Sequence, residues 1–114
     1  KELVQQMQDF FAFKLDESTK EAFAHQIALN VIPQVDVAMP SGFTKEEEKM
    51  VYETQKILHK DIAIAATCVR VPVLRSHSES ITVTFGENIV VEVDKVKEAF
   101  KNFENLVVED DIEN

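Results

Sequence analysis

The run Ile62-Ala63-Ile64-Ala65-Ala66-Thr67-Cys68-Val69-Arg70-Val71-Pro72-Val73-Leu74 constrains the fold most. It is apolar, rich in β-branched residues and too short to cross a membrane, so it reads as a strand in the core of a small domain. It ends on polar chemistry: Arg70 lies within it and Arg75-Ser76-His77-Ser78-Glu79 follows it. A guanidinium suits a carboxylate through two parallel hydrogen bonds, and an imidazole exchanges protons near neutrality. In an unbroken strand, however, positions 70 and 77 face opposite sides about 23 Å apart. The two cooperate only if the run breaks. Pro72 and the Leu74-Arg75-Ser76 step are the expected break points. The alternative is a solvent-facing Arg70 and an unrelated surface His77.

Upstream, Ser41-Gly42-Phe43 reads as a turn, and Thr44 with Glu47 three residues on makes a capping box. The helix that starts there is expected to run to Leu58 or His59. Met50, Val51, Thr54, Ile57 and Leu58 form its predicted buried stripe, while Glu46, Lys49, Glu53 and Lys56 line another face.

At 114 residues with 45% hydrophobic content, the chain suffices for one core and is short for two domains. Leu3, Met7, Phe10 and Phe11 suggest an opening helix whose apolar face packs on a sheet. Residues 23–31 are ambiguous between helix and strand. Ile81-Thr82-Val83-Thr84-Phe85 alternates as a half-buried strand does, Gly86-Glu87-Asn88 is a turn, and 89–93 is extended. Asp94 is the expected cap of a helix to about Asn102, and Val107-Val108 an edge strand before an acidic tail. The order of elements gives an α+β domain with a mixed or antiparallel sheet.

Gly42 and Gly86 are the only glycines and are isolated, so neither a Gly-rich dinucleotide fingerprint nor a P-loop can be built. A net charge of −9, from 12 basic against 21 acidic residues, argues against nucleic acid as partner. It leaves room for a local cationic pocket. The sequence has neither a membrane-length apolar segment nor a signal-peptide pattern, and its single cysteine fits a reducing, cytoplasmic setting. Cys68 is read as a buried, inert thiol with a raised pKa rather than a nucleophile. With His25, His59 and His77 it lacks the close-paired spacing of a structural zinc site, so no metal is expected.

Taken in order, Ile32-Pro33-Gln34-Val35-Asp36, Phe43-Thr44-Lys45-Glu46-Glu47-Glu48-Lys49, Glu53-Thr54-Gln55-Lys56-Ile57-Leu58, Cys68-Val69-Arg70-Val71-Pro72-Val73 and His77-Ser78-Glu79 form a specific series. It resembles the catalytic and dimerisation domain of the aspartate-semialdehyde dehydrogenases, most strongly from Gln26 to Glu79. The resemblance implies an α+β fold like the C-terminal domain of glyceraldehyde-3-phosphate dehydrogenase, with a largely antiparallel sheet, helices on one face, and a strand over 23–31. It implies His77 as acid/base catalyst, Arg70 as ligand of the substrate carboxylate, Glu46 as a substrate contact at the amino group, and Lys49 as a phosphate ligand. It further implies a homodimer that converts L-aspartyl 4-phosphate to the semialdehyde with NADPH, the cofactor domain and nucleophilic cysteine lying outside residues 1–114. On that reading the chain is a partial domain, inactive alone. Two alternatives stay open: another acyl-phosphate reductase, such as an N-acetylglutamyl phosphate reductase, and a non-catalytic dimerisation module.

Overall fold

A computed structural model describes residues 1–111, so the end of the acidic tail, 112–114, lies outside the described residues. Its contacts fall into two compact units, one over Lys1–His77 and one from Ser78 onward.

The first unit opens on α1, Glu2–Phe11, as its amphipathic spacing predicts. The buried face differs from expectation. Leu3 and Met7 are half-buried and Phe11 is 72% exposed, whereas Gln6 is completely buried. The reason lies in segment 19–28, which α1 holds through polar side chains. Gln6 Oε1 accepts the backbone N–H groups of Ile27 and Ala28 at 2.9 and 3.0 Å, and its Nε2 donates to the Thr19 carbonyl at 3.0 Å and to Glu2 Oε1 at 3.1 Å. Glu2 Oε2 accepts from Glu21 N and Ala22 N. Buried backbone donors require a partner, and here a glutamine supplies it.

That substitution of partner corrects the expected strand over 23–31. Residues 21–25 are a series of bends, Asn30 N closes a turn on the Ile27 carbonyl at 3.1 Å, and Leu29 is left-handed at φ 57°. Ile27, Ala28 and Ile32 make the small apolar core, joined to residue 70 by one antiparallel bridge.

A second bridge, Ala38 to Thr44, closes a loop that feeds α2, Lys45–Leu58. Gly42 takes φ 89° in the turn where its N–H meets the Met39 carbonyl, a conformation glycine adopts without strain. The helix ends on His59 in the left-handed C-cap conformation. The predicted buried stripe is not realised: Met50, Val51 and Thr54 are half-buried, Ile57 is 73% exposed and Leu58 is exposed.

The extended run after α2 alternates: Ile64, Ala66 and Cys68 are half-buried and their neighbours exposed. The period of two is that of a strand, yet among the described residues no ladder forms beyond the two bridges. The same holds in the second unit, where 81–85, 89–92 and 107–108 belong to neither helix nor ladder among the described residues and their apolar side chains are largely exposed. A strand is stabilised by its neighbour's backbone and side chains, and without one its N–H and C=O groups face water. The turn at 86–89 forms, Ile89 N donating to the Gly86 carbonyl at 2.9 Å. Helix α3 spans Val93–Lys101 with Glu92 as N-cap, so Asp94 sits in its first turn rather than capping it, where its charge favours the helix dipole. Lys95 pairs with Glu92 at 2.7 Å and Lys97 with Asp110 at 3.0 Å.

Candidate active site

The start of α2 is fixed by local chemistry. Thr44 Oγ1 accepts from Glu47 N at 3.3 Å while Glu47 Oε2 accepts from Thr44 N at 2.7 Å, completing the capping box. The second Glu47 oxygen, Oε1, accepts the backbone N–H of Cys68 at 3.0 Å. One carboxylate therefore joins the first turn of α2 to the extended run that leads to Arg70. Its hydrogen bonds from the Thr44 and Cys68 backbones, then from the Thr44 hydroxyl, lower its pKa below the ordinary glutamate value.

On the same turn Glu46 and Lys49 form an ion pair, with Lys49 Nζ at 2.9 and 3.1 Å from the two carboxylate oxygens. The Glu46 hydrogen bond, its charge, and the fields of Glu53 and Asp36 raise the Lys49 pKa. Lys49 is thus a full cation at neutral pH.

Arg70 is held by its backbone. Its N–H donates to the Ile32 carbonyl at 2.9 Å and its carbonyl accepts from Ile32 N at 3.0 Å. The guanidinium lies over the Phe23 ring, 5.3 Å from its centre, at a cavity of about 200 Å³ that His25, Ile32, Gln34 and Asp36 also line. Asp36 relates the two groups, since it lines the Arg70 cavity and its field reaches Lys49. Arg70 forms no ion pair among the described residues.

His77 is not brought to them by any contact. The expected break does occur: bends fall at Pro72, Leu74 and Arg75, Val73 N folds back on the Val71 carbonyl at 2.8 Å, and Ser76 is left-handed at φ 71°. His77 emerges from it exposed, with no hydrogen bond or ion pair among the described residues. Cys68 is half-buried, and its thiol pKa is raised by burial first and by the Glu47 and Glu46 charges second. It is poorly suited to act as a nucleophile.

Reading the sequence missed three contributors. Glu2 and Gln6 sit four residues apart on one face of α1, a spacing that could have signalled a shared polar task. Nothing in the sequence signalled that Phe23 would meet Arg70.

Gly42 and Gly86 are isolated from one another in sequence, so the Gly-rich turn that cradles a dinucleotide's pyrophosphate is not built among the described residues. Among the described residues no group of three or more His, Cys, Asp or Glu side chains could hold a metal, and no helix is long and apolar enough to cross a membrane.

The family model for the semialdehyde dehydrogenase dimerisation domain matches residues 1–114. The aspartate-semialdehyde dehydrogenase of Campylobacter jejuni is 58% identical over 113 residues, covering 99% of this chain and 32% of that protein. The Aquifex aeolicus enzyme of the same name is 45% identical over 95 residues, 82% of this chain and 27% of that protein. The crystal structure of aspartate semialdehyde dehydrogenase II from Vibrio cholerae in complex with ASA superposes with a TM-score of 0.60 at 46% identity, over 63% of this chain and 21% of that one. This chain spans about a third or less of the length of these curated relatives. It belongs to the semialdehyde dehydrogenase dimerisation-domain family.

Proposed function

We propose that residues 1–114 are a partial catalytic and dimerisation domain of an aspartate-semialdehyde dehydrogenase, which interconverts L-aspartyl 4-phosphate and L-aspartate 4-semialdehyde with NADP(H) and phosphate in the cytoplasm. The observation that carries the reading is Arg70, a guanidinium lying over an aromatic ring at a cavity, with no carboxylate paired to it among the described residues. Its N–H edges are available to two oxygens of a substrate carboxylate. Glu46 offers an anion to the substrate ammonium and Lys49 a cation to phosphate, and the two side chains lie together, 2.9 Å apart, on the first turns of α2. His77, exposed on the segment after the break, moves the proton at the reacting carbon's oxygen or at the leaving group.

NADP and the nucleophilic cysteine belong, on this reading, to segments outside residues 1–114, so the chain alone has no turnover. In the relatives' context the extended runs 62–70 and 81–85 would become strands of a largely antiparallel sheet. The family's dimerisation role and the many exposed large apolar side chains support a homodimer.

The test is NADPH formation from aspartate semialdehyde, phosphate and NADP by the complete polypeptide, beside its His77→Ala variant. Phosphate-dependent turnover with kcat lowered about 10²- to 10⁴-fold in the variant and KM little changed is expected. Absence of phosphate-dependent turnover would exclude this substrate and return the choice to another acyl-phosphate reductase or a non-catalytic module. An unchanged kcat would remove His77 from the proton step.

A further inference from the structure

Phe23 belongs to neither of the two polar clusters, yet its half-buried ring is the only aromatic face against which Arg70 rests among the described residues. An exposed arginine side chain has several rotors and little to fix them, even where its backbone is bridged as that of Arg70 is. Stacking on an aromatic face removes much of that freedom and leaves the in-plane N–H groups outward, the edge a carboxylate uses. The ring is itself placed from a distance. Segment 19–28 has no ladder to hold it. It is pinned by α1, through Glu2 Oε2 to the N–H groups of Glu21 and Ala22 immediately before Phe23, and through Gln6 to Thr19, Ile27 and Ala28 on either side. The backbone of Arg70 is fixed independently by the Ile32 bridge. Two separately anchored segments therefore meet at one guanidinium–ring contact 5.3 Å across.

We infer that Phe23 is a positioning residue for substrate binding: its ring, set by Glu2 and Gln6 of α1, aims the Arg70 guanidinium at the substrate carboxylate. The inference rests on Arg70 being the carboxylate ligand, as proposed above.

The experiment measures KM and kcat for aspartate semialdehyde in the complete polypeptide with Phe23→Leu, Phe23→Tyr, Arg70→Ala and the Phe23→Leu/Arg70→Ala double variant. Phe23→Leu keeps an apolar side chain and removes the ring face; it is expected to raise KM about two- to fivefold, the size of an exposed cation–π contact, with kcat nearly unchanged. Phe23→Tyr restores the ring and the KM. In the Arg70→Ala background Phe23→Leu should add nothing, because the group it positions is gone. An unchanged KM in Phe23→Leu, a loss that Phe23→Tyr fails to rescue, or an equal further rise in the double variant would each overturn the inference. Should Phe23→Leu fold poorly, Phe23→Met, which also keeps apolar bulk without a ring, takes its place in both backgrounds and is read in the same way. If Arg70→Ala itself leaves KM unchanged, the failure belongs to the proposed role of Arg70 and takes the inference with it.

Discussion

Glu47 accepts the backbone N–H of Cys68 at 3.0 Å, and through that bond the helix that carries Glu46 and Lys49 is tied to the run that carries Arg70. The same carboxylate closes the capping box, so local helix chemistry and long-range placement converge on one side chain.

The bond gives stability a pH dependence. The Glu47 pKa is lower in the folded chain than unfolded, so the folded state binds its proton less readily. Its contribution is complete above the unfolded glutamate pKa of about 4.3 and fades as pH falls through the lower folded value. Denaturant titrations below pH 4.5 should show a shallower loss of stability with acid in Glu47→Gln than in the native sequence. Parallel profiles would mean that Glu47 is not linked to folding.

Gln6 is the second test. In Gln6→Leu the N–H groups of Ile27 and Ala28 lose their acceptor while remaining buried, at about 1–3 kcal/mol for each unpaired group. A urea midpoint corresponding to at least about 2 kcal/mol of lost stability is expected. A loss within about 0.5 kcal/mol, the range of a surface change, would show that water or rearrangement satisfies those donors.

Cys68 should be slow to alkylate. Burial and the neighbouring carboxylates hold its thiol above the ordinary range, so little thiolate exists at pH 7. Iodoacetamide labelling of the Cys68 peptide, followed by mass spectrometry, should lag a free-cysteine peptide at pH 7 and accelerate only in strongly alkaline buffer. Rapid labelling at pH 7 would contradict the environment described.

Lys49 is expected to act on phosphate alone. Lys49→Ala in the complete polypeptide should raise the KM for phosphate about tenfold or more, the scale of a charge-assisted hydrogen bond, and leave the KM for the semialdehyde close to native. Equal changes in both would assign Lys49 to holding Glu46 instead.

What could be read from the sequence was what neighbours along the chain decide. The start and end of α2, the turn at 86–89 and the break between Pro72 and Ser76 all follow from side chains within a few residues of the event. The strands were different. Residues 81–85 carry the right alternation, but pairing depends on a distant partner, and residues 23–31 are captured by Gln6, a choice no local pattern announces. The site divides similarly. Arg70, Glu46 and Lys49 stood out by residue type, and their proposed roles came from family resemblance, whereas Phe23 and Gln6 act across separations in sequence that composition does not encode.

Gln6 carries one further consequence. Its amide uses two donors and both acceptor positions of its oxygen at once, in a site closed to bulk solvent. Glutamate offers the acceptors but no donors, histidine at most one acceptor, asparagine the right head on a stem one methylene short, and leucine or methionine only bulk. No other standard side chain carries this set, so each replacement leaves Glu2 or a backbone group of segment 19–28 without its partner.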